Sequence, residues 1–278
     1  MKVILLGTAA GGGFPQWNCA CPTCANPDLA PRTQDGLAIS ADGNNWYLVN
    51  ASPDIRAQIL ATPELAAGPG RRDSPLRGVL LTDAELDHTL GLLMLREGNG
   101  LEVHAPPAVL QALTVDFPVQ PITARYGGWS WGNTTIPGLR IKTLAVSNKT
   151  PKYASKPAEV IAYRFEDHRT GGILVYAPCL ADWPEGFDEF VDGATYVVLD
   201  GTFWGSSEMG AAQAAMGHLP ITASLEKIRK VSAAQPGTAW AYTHLNNTNP
   251  VLDPQGPEYA EIRAAGVKLP PDGTRLNL

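Results

Sequence analysis

The sequence predicts a layered α/β fold with helices packed outside sheets. Three observations carry this. Short β-like runs recur along the chain, stretches with apolar residues at helical spacing lie between them, and turn residues are abundant. Of 278 residues, 28 are Gly and 24 are Pro, nearly a fifth of the chain against roughly 12% in average usage. Such a chain turns often and does not read as a helical bundle.

The elements follow in order. Val3–Leu6 is the first strand, ending at Gly7. This apolar run is shorter than the roughly 7–15 residues of an export signal, so the expectation is a cytoplasmic protein. Trp46–Val49 is a second strand, followed by Ser52-Pro53-Asp54 as N-cap, first helical residue and first-turn acid of a helix. Arg71 and Arg72 lie in a Gly/Pro-rich stretch that reads as an exposed loop before the strand Gly78–Leu81. Leu86, Leu90, Leu93 and Met94 are spaced as one helix face, stopped by Gly98. His104 reads as a strand residue. Further strands are expected over Ile141–Val146, Val160–Phe165, Ile173–Tyr176, Tyr196–Leu199 and Ala239–Tyr242, with His168 at a hairpin tip. Ile221, Leu225 and Ile228 form a helix face, as do Tyr259, Ile262 and Ala265 before Gly266. No repeat or domain boundary is evident, and one domain over residues 1–278 is expected.

Composition narrows the function. A net charge of −6 offers no general attraction to nucleic acid or anionic membranes. Charged residues make up 17% and hydrophobic residues 44%, which suits a large core, and no run reaches the roughly 18 apolar residues of a membrane span.

Chemistry-bearing residues cluster in a few places. The run Gly7-Thr8-Ala9-Ala10-Gly11-Gly12-Gly13 lacks both P-loop and dinucleotide spacing, so it reads as a tight turn. Cys19, Cys21 and Cys24 form a C-x-C-x-x-C cluster, whose three thiolates suit a structural zinc with a fourth ligand from elsewhere. Free thiols in a turn are the alternative. Asp83, Glu85, Asp87 and His88 crowd together between a strand and a helix; a divalent cation would relieve the repulsion, whereas a solvated turn would not need one. His218 and His244 lie at element ends in polar or glycine-flanked settings.

The order of Leu6-Gly7-Thr8, the cysteine cluster, Thr82–Gly91, Asp200-Gly201-Thr202-Phe203, Gly217-His218 and Thr243-His244-Leu245 resembles the metallo-β-lactamase superfamily, nearest its phosphodiesterase-like branch. Gly11–Cys19 and Asn50–Arg56 are similar to segments of a family within it that serves biosynthesis of pyrroloquinoline quinone (PQQ). The resemblance implies a four-layered αββα sandwich. It also exposes departures. The superfamily loop reads His-x-His-x-Asp-His, but Asp83 and Glu85 stand where its leading histidines fall. The segment Val146-Ser147-Asn148 has no histidine, and Cys179 falls near the bridging aspartate.

By resemblance, then, the first metal site is dismantled and the second survives as Asp87, His88 and His244. Two imidazoles and one carboxylate form the facial triad of non-haem iron(II). The implied function is iron(II)- and dioxygen-dependent hydroxylation of the tyrosine ring in a peptide-derived Glu–Tyr intermediate. The implied alternatives are a carrier of PQQ or its precursor and a metal-dependent hydrolase. Asp83 and Glu85 are expected as hydrogen-bond acceptors or proton carriers, with direct metal ligation by either as the alternative, and Asp200 and His218 as orienting groups. Ser52, Asp54 and Arg56 are expected at the substrate, Arg56 on a carboxylate. Asn247 is the implied fourth zinc ligand, although asparagine suits zinc poorly. A homodimer is among the expectations.

Overall fold

The computed structural model describes residues 1–132, 135–210 and 213–278. Two mixed sheets stack face to face. The first contains β1 (Lys2–Gly7), β2 (Gly36–Ser40), β3 (Trp46–Val49), β4 (Leu76–Leu80), β5 (Glu102–His104), β6 (Ser130–Gly132) and β12 (Thr274–Asn277), in the order β12-β1-β2-β3-β4-β5-β6. The second contains β7 (Leu139–Lys149), β8 (Ala158–Asp167), β9 (Ile173–Ala177), β10 (Tyr196–Asp200) and β11 (Ala239–Thr243), in the order β11-β10-β9-β8-β7. In each sheet antiparallel pairs give way to parallel ones: β3, β4, β5 and β6 run together, as do β9, β10 and β11.

The period-2 pattern explains the layering. Val3 and Leu5 of β1, Tyr163 and Phe165 of β8, and Tyr196 and Val198 of β10 meet between the sheets. Their alternate neighbours face outward. Ile4 and Leu6 join Ile55 of α1 (Ile55–Leu60), Leu92 of α3 (Gly91–Met94), Val109 and Leu113 of α4 (Pro107–Val115), and Val119 of α5 (Val119–Thr123). Ala162, Val197 and Leu199 join Phe187 of α6 (Phe187–Val191), Leu225 and Ile228 of α7 (Ile221–Ala234), and Ile262 of α8 (Pro257–Ala264). Both faces of each sheet are therefore buried, which produces the αββα sandwich.

Two expected helices differ in detail. The Ser52-Pro53-Asp54 start gives way to a helix that begins at Ile55, and Asp54 makes no side-chain cap. The single helix expected from Leu86 to Gly98 is two one-turn pieces, α2 (Leu86–Thr89) and α3. The break follows from a backbone contact. His88 carbonyl accepts from Ala51 N–H (2.8 Å), and Gly91 N–H donates to the Ala51 carbonyl (2.9 Å). A Cβ on Gly91 would lie 2.3 Å from the Ser52 carbonyl oxygen, so only glycine allows this approach. Gly91→Ala is expected to cost about 1–3 kcal/mol through backbone displacement, measured by urea denaturation; an unchanged midpoint would contradict the contact.

Candidate metal centre

The C-terminal ends of the parallel strands converge on one edge of the sandwich, where layered α/β proteins build their sites. The loop after β4 supplies Asp83, Glu85, Asp87 and His88; the ends of β9, β10 and β11 deliver Cys179, Asp200 and His244. His244 holds a left-handed backbone conformation, φ 56°, and so does Asn50, φ 65°. Such strain in non-glycine residues gathers at functional sites.

Asn50 clamps the metal-loop entrance. Its side-chain oxygen accepts from Thr82 N–H (3.0 Å), and its amide donates to Thr82 Oγ1 (3.0 Å). Thr82 Oγ1 donates to Asp83 Oδ2 (2.7 Å), and Glu85 N–H donates to Asp83 Oδ1 (2.9 Å). Asp83 is thereby fixed to receive His88 Nδ1–H at 2.7 Å. A carboxylate only accepts, so Nδ1 carries the proton and His88 Nε2 faces the pocket. That nitrogen is fully buried and has no hydrogen-bond partner among the described residues.

His244 is oriented in the same way through a hydroxyl. Thr202 Oγ1 donates to Asp200 Oδ1 (2.7 Å) and lies 2.8 Å from His244 Nδ1. With its proton spent on the carboxylate, the hydroxyl accepts from Nδ1, leaving Nε2 directed at Asp87 Oδ2, 3.3 Å away. Asp200 Oδ2 also accepts from His218 Nδ1 (2.6 Å), and the His218 and His244 rings stack with centroids 5.2 Å apart. Beneath them Thr243 and Tyr176 both donate to the buried Asp35.

The electrostatics suit a cation. Burial opposes charge on His88, but Asp83 and Asp87 outweigh it and push the imidazole up to about 10. Burial likewise opposes ionisation of Asp83, Asp87 and Asp200, and the neighbouring imidazoles nevertheless hold all three below the usual carboxylate range. Burial pushes Asp35 up. An unpartnered imidazole nitrogen beside a second imidazole and a carboxylate oxygen fits a divalent metal. The glycine-rich loop serves this arrangement rather than a phosphate: a Cβ on Gly11 would lie 3.0 Å from Asp87 Oδ2.

A cavity of about 240 Å³ opens beside the centre, lined by Asp83, Glu85, Asn148, Lys149, Cys179 and His218 among others. Lys149 Nζ lies 3.4 Å from Glu85 Oε1. Burial opposes its charge, but Cys179, Glu85, Asp83 and Asp87 more than compensate and raise its pKa.

The expected substrate residues are elsewhere. Ser52 is buried and bonded to Gln58 (3.3 Å), while Asp54 accepts from the backbone (2.9 Å) and side chain (3.1 Å) of Gln34. Arg56 is exposed, and none of the three lines the cavity. This segment braces the metal loop through Asn50 and Ala51. Sequence reasoning also gave no role to Thr202, Asn50, Asp35 or Lys149. Lys149 follows Ser147-Asn148, the segment already marked by a missing histidine, and that adjacency was the available signal.

Cys19, Cys21 and Cys24 form a second cluster with mutually close sulfurs. Burial pushes the Cys21 thiol up, but the Cys24 backbone N–H and neighbouring side chains outweigh this and bring it down to about 7. Asn247 reaches the cluster by donating its amide to Cys24 Sγ (3.4 Å), and its backbone oxygen lies 3.9 Å from the Cys21 and Cys24 sulfurs.

A model of the beta-lactamase superfamily domain matches residues 45–238. Coenzyme PQQ synthesis protein B of Ectopseudomonas mendocina is 37% identical over 305 aligned positions, covering all of both chains. The chain belongs to this family. The Azotobacter vinelandii member is also 37% identical over full length. The crystal structure of Zn²⁺-bound PqqB from Methylobacterium extorquens superposes with a TM-score of 0.89 at 33% identity, covering both chains completely. A diphosphatase of the PhnP family shares the fold, with a TM-score of 0.71 at 18% identity over 99% of this chain and 96% of that one.

Two outcomes follow for metal binding. Metal must displace the proton on His88, so affinity should climb by up to about tenfold per pH unit as pH rises towards the imidazole pKa of about 10. Chelator competition between pH 6.5 and 8.5 measures this, and a flat profile contradicts ligation by His88. Asp83→Asn removes the anionic acceptor on Nδ1 and should weaken metal binding by about 10–100-fold.

Proposed function

We propose that this protein acts in PQQ biosynthesis as a single-metal, dioxygen-dependent hydroxylase of the tyrosine ring in the Glu–Tyr intermediate. The names of its full-length relatives support the pathway. The observation that carries the chemistry is the unpartnered Nε2 of His88 aimed at the pocket shared with His244 and Asp87.

One metal rather than two is favoured by how the remaining acids are used. Asp83 is committed to His88, Thr82 and the loop backbone, and Glu85 is paired with Lys149. A hydrolase of this superfamily uses two ions to hold a water between them, and these residues have other partners. Asp87, His88 and His244 would hold iron(II), which when bound would supply dioxygen activation. Asp83 and Asp200 keep the imidazole Nδ1 protons in place, the latter through Thr202. Lys149 meets a substrate carboxylate in the cavity, the part first given to Arg56. Glu85, beside that ammonium, accepts the proton released from the ring, and His218 orients the substrate from the opposite wall. The Cys19, Cys21 and Cys24 thiolates hold a structural zinc with Asn247 at its edge; the Methylobacterium relative is described as Zn²⁺-bound, in keeping with a family that takes this ion.

The test supplies iron(II), dioxygen, ascorbate as the two-electron reductant and the Glu–Tyr substrate, and reads a mass gain of one oxygen atom, the other leaving as water. Turnover should fall by at least about 100-fold in His244→Ala, where a metal ligand is lost. No gain together with tight binding of PQQ would overturn the reading in favour of a carrier. Phosphodiester cleavage with zinc or manganese and no oxygen gain would overturn it in favour of a hydrolase.

A further inference from the structure

A second cavity, of about 280 Å³, opens at the edge of the sandwich opposite the metal centre. β3 and β4 run parallel, and the metal loop follows the C-terminal end of β4, so their N-terminal ends lie at that far edge. Tyr47 and Arg77 line the cavity there, with Ala41, Ile136 and Pro137 as its apolar wall. It shares no residue with the metal centre.

A β-bulge sets the arginine. Trp46 pairs with Leu76 and Tyr47 with Gly78, which makes Arg77 the extra residue of β4; such bulges re-aim a side chain. The guanidinium is then held by neutral oxygens. Nε donates to Asn45 Oδ1 (2.7 Å), and Nη1 donates to the Ser74 (2.6 Å) and Leu76 (3.2 Å) carbonyls. Asp42, on the same wall, is occupied elsewhere: Oδ1 accepts from Ser40 Oγ and the Asn44 and Asn45 N–H groups, and Oδ2 from the Asn45 amide. The chain Asp42–Asn45–Arg77 thus fixes the guanidinium and leaves its Nη2 protons without a bond among the described residues. Tyr47 is 6% exposed, and its hydroxyl likewise has no hydrogen-bond partner among the described residues. Burial and nearby Glu102 raise its pKa, so the hydroxyl keeps its proton and can donate.

We propose that this cavity is a binding site for a small organic monocarboxylate with an apolar body about one ring in size. One carboxylate oxygen accepts from Arg77 Nη2 and the other from the Tyr47 hydroxyl, while the body lies against Ala41, Ile136 and Pro137. A fixed cation with unused donors, beside a buried hydroxyl donor and an apolar wall, matches that chemistry. The volume of about 280 Å³ falls just under the roughly 300–1,000 Å³ of drug-sized sites, which limits the ligand's size. Charge selects carboxylate over phosphate. A phosphate monoester carries close to two charges at neutral pH, whereas one guanidinium serves the site and Asp42 and Glu102 lie near Tyr47. The proposal is independent of the metal centre and of the reaction carried out there.

Benzoate is the probe, titrated calorimetrically into full-length, metal-loaded protein, with benzamide and phenyl phosphate as comparisons. Lys149→Met removes the ammonium of the metal-side cavity and should leave benzoate binding at this site unchanged. Arg77→Met should weaken it by about tenfold or more, and Tyr47→Phe, which keeps the ring packing, by several-fold. Benzamide, lacking the charge, should bind at least about tenfold more weakly. Crystals soaked in 4-bromobenzoate should show the bromine anomalous signal beside Ile136 and Pro137.

Absence of binding at about 10 mM benzoate, equal affinity in wild type and Arg77→Met, or bromine found only at the metal-side cavity would overturn the site. Bromine beside Pro137 with no difference in solution between wild type and both variants would show binding at crystal concentration only, and would overturn it too. Tighter binding of phenyl phosphate than of benzoate would overturn the carboxylate assignment.

Discussion

The hydrogen bond from His88 Nδ1 to Asp83 is the constraint on which the rest of the centre depends. It sets the tautomer of a completely buried ring and leaves the opposite nitrogen without a protein partner. An unpaired buried nitrogen is costly, and the loop keeps it there by surrounding Asp83 with donors. Asn50, Thr82 and the Glu85 backbone all take part in that arrangement. A carboxylate at position 83 thus acts indirectly, through the imidazole it orients, where a histidine in the superfamily pattern would meet a metal itself.

The scaffold makes this possible by packing both faces of both sheets. Loops after β4, β9, β10 and β11 inherit rigid starting points, and the left-handed turn at His244 is held by Thr8 and Thr202: Leu245 N–H donates to the Thr8 carbonyl (2.9 Å), and Asn246 N–H donates to the Thr202 carbonyl (3.1 Å). The same loop system explains the glycine-rich turn. Ala10 N–H donates to the Leu245 carbonyl (2.9 Å), and Gly11 passes close to the Asp87 carboxylate. Distant segments of chain therefore meet at the metal loop from opposite sides.

This distribution sets what was legible in the sequence. Asp87, His88 and the three clustered cysteines stood out because their neighbours in sequence are also their neighbours in space. The expected strand Trp46–Val49 matches β3 residue for residue, since the run is apolar throughout and buried on both faces. By contrast β2, β6 and β12 are short pieces, β12 pairing with β1 from the far end of the chain, and α4 and α5 begin among prolines that mask a helical signal. Thr202 and Asp35 gain their roles only when β10 and β11 lie side by side. Ser52 and Asp54 read as substrate-binding chemistry because they form a polar, turn-rich segment beside a metal loop, and their inward hydrogen bonds to Gln34 and Gln58 become visible only in the fold.

Under the single-metal reading proposed above, Lys149 holds the acidic side of the pocket in place of a second ion. A protein that loses a metal site's histidines but keeps carboxylates there must neutralise the remaining negative charge or raise its pKa values. Here the ammonium on β7 reaches Glu85, and its own pKa rises because Asp83 and Asp87 are negative neighbours as well. A fixed cation on a flexible stem differs from a metal in one decisive respect: it donates hydrogen bonds and offers no coordination positions. On that reading a water held there would gain little acidity, two-ion hydrolysis would lack its nucleophile, and an anionic substrate group would gain an anchor. Under that reading, a lysine in place of an ion turns half of a hydrolytic centre into a docking wall for the other half.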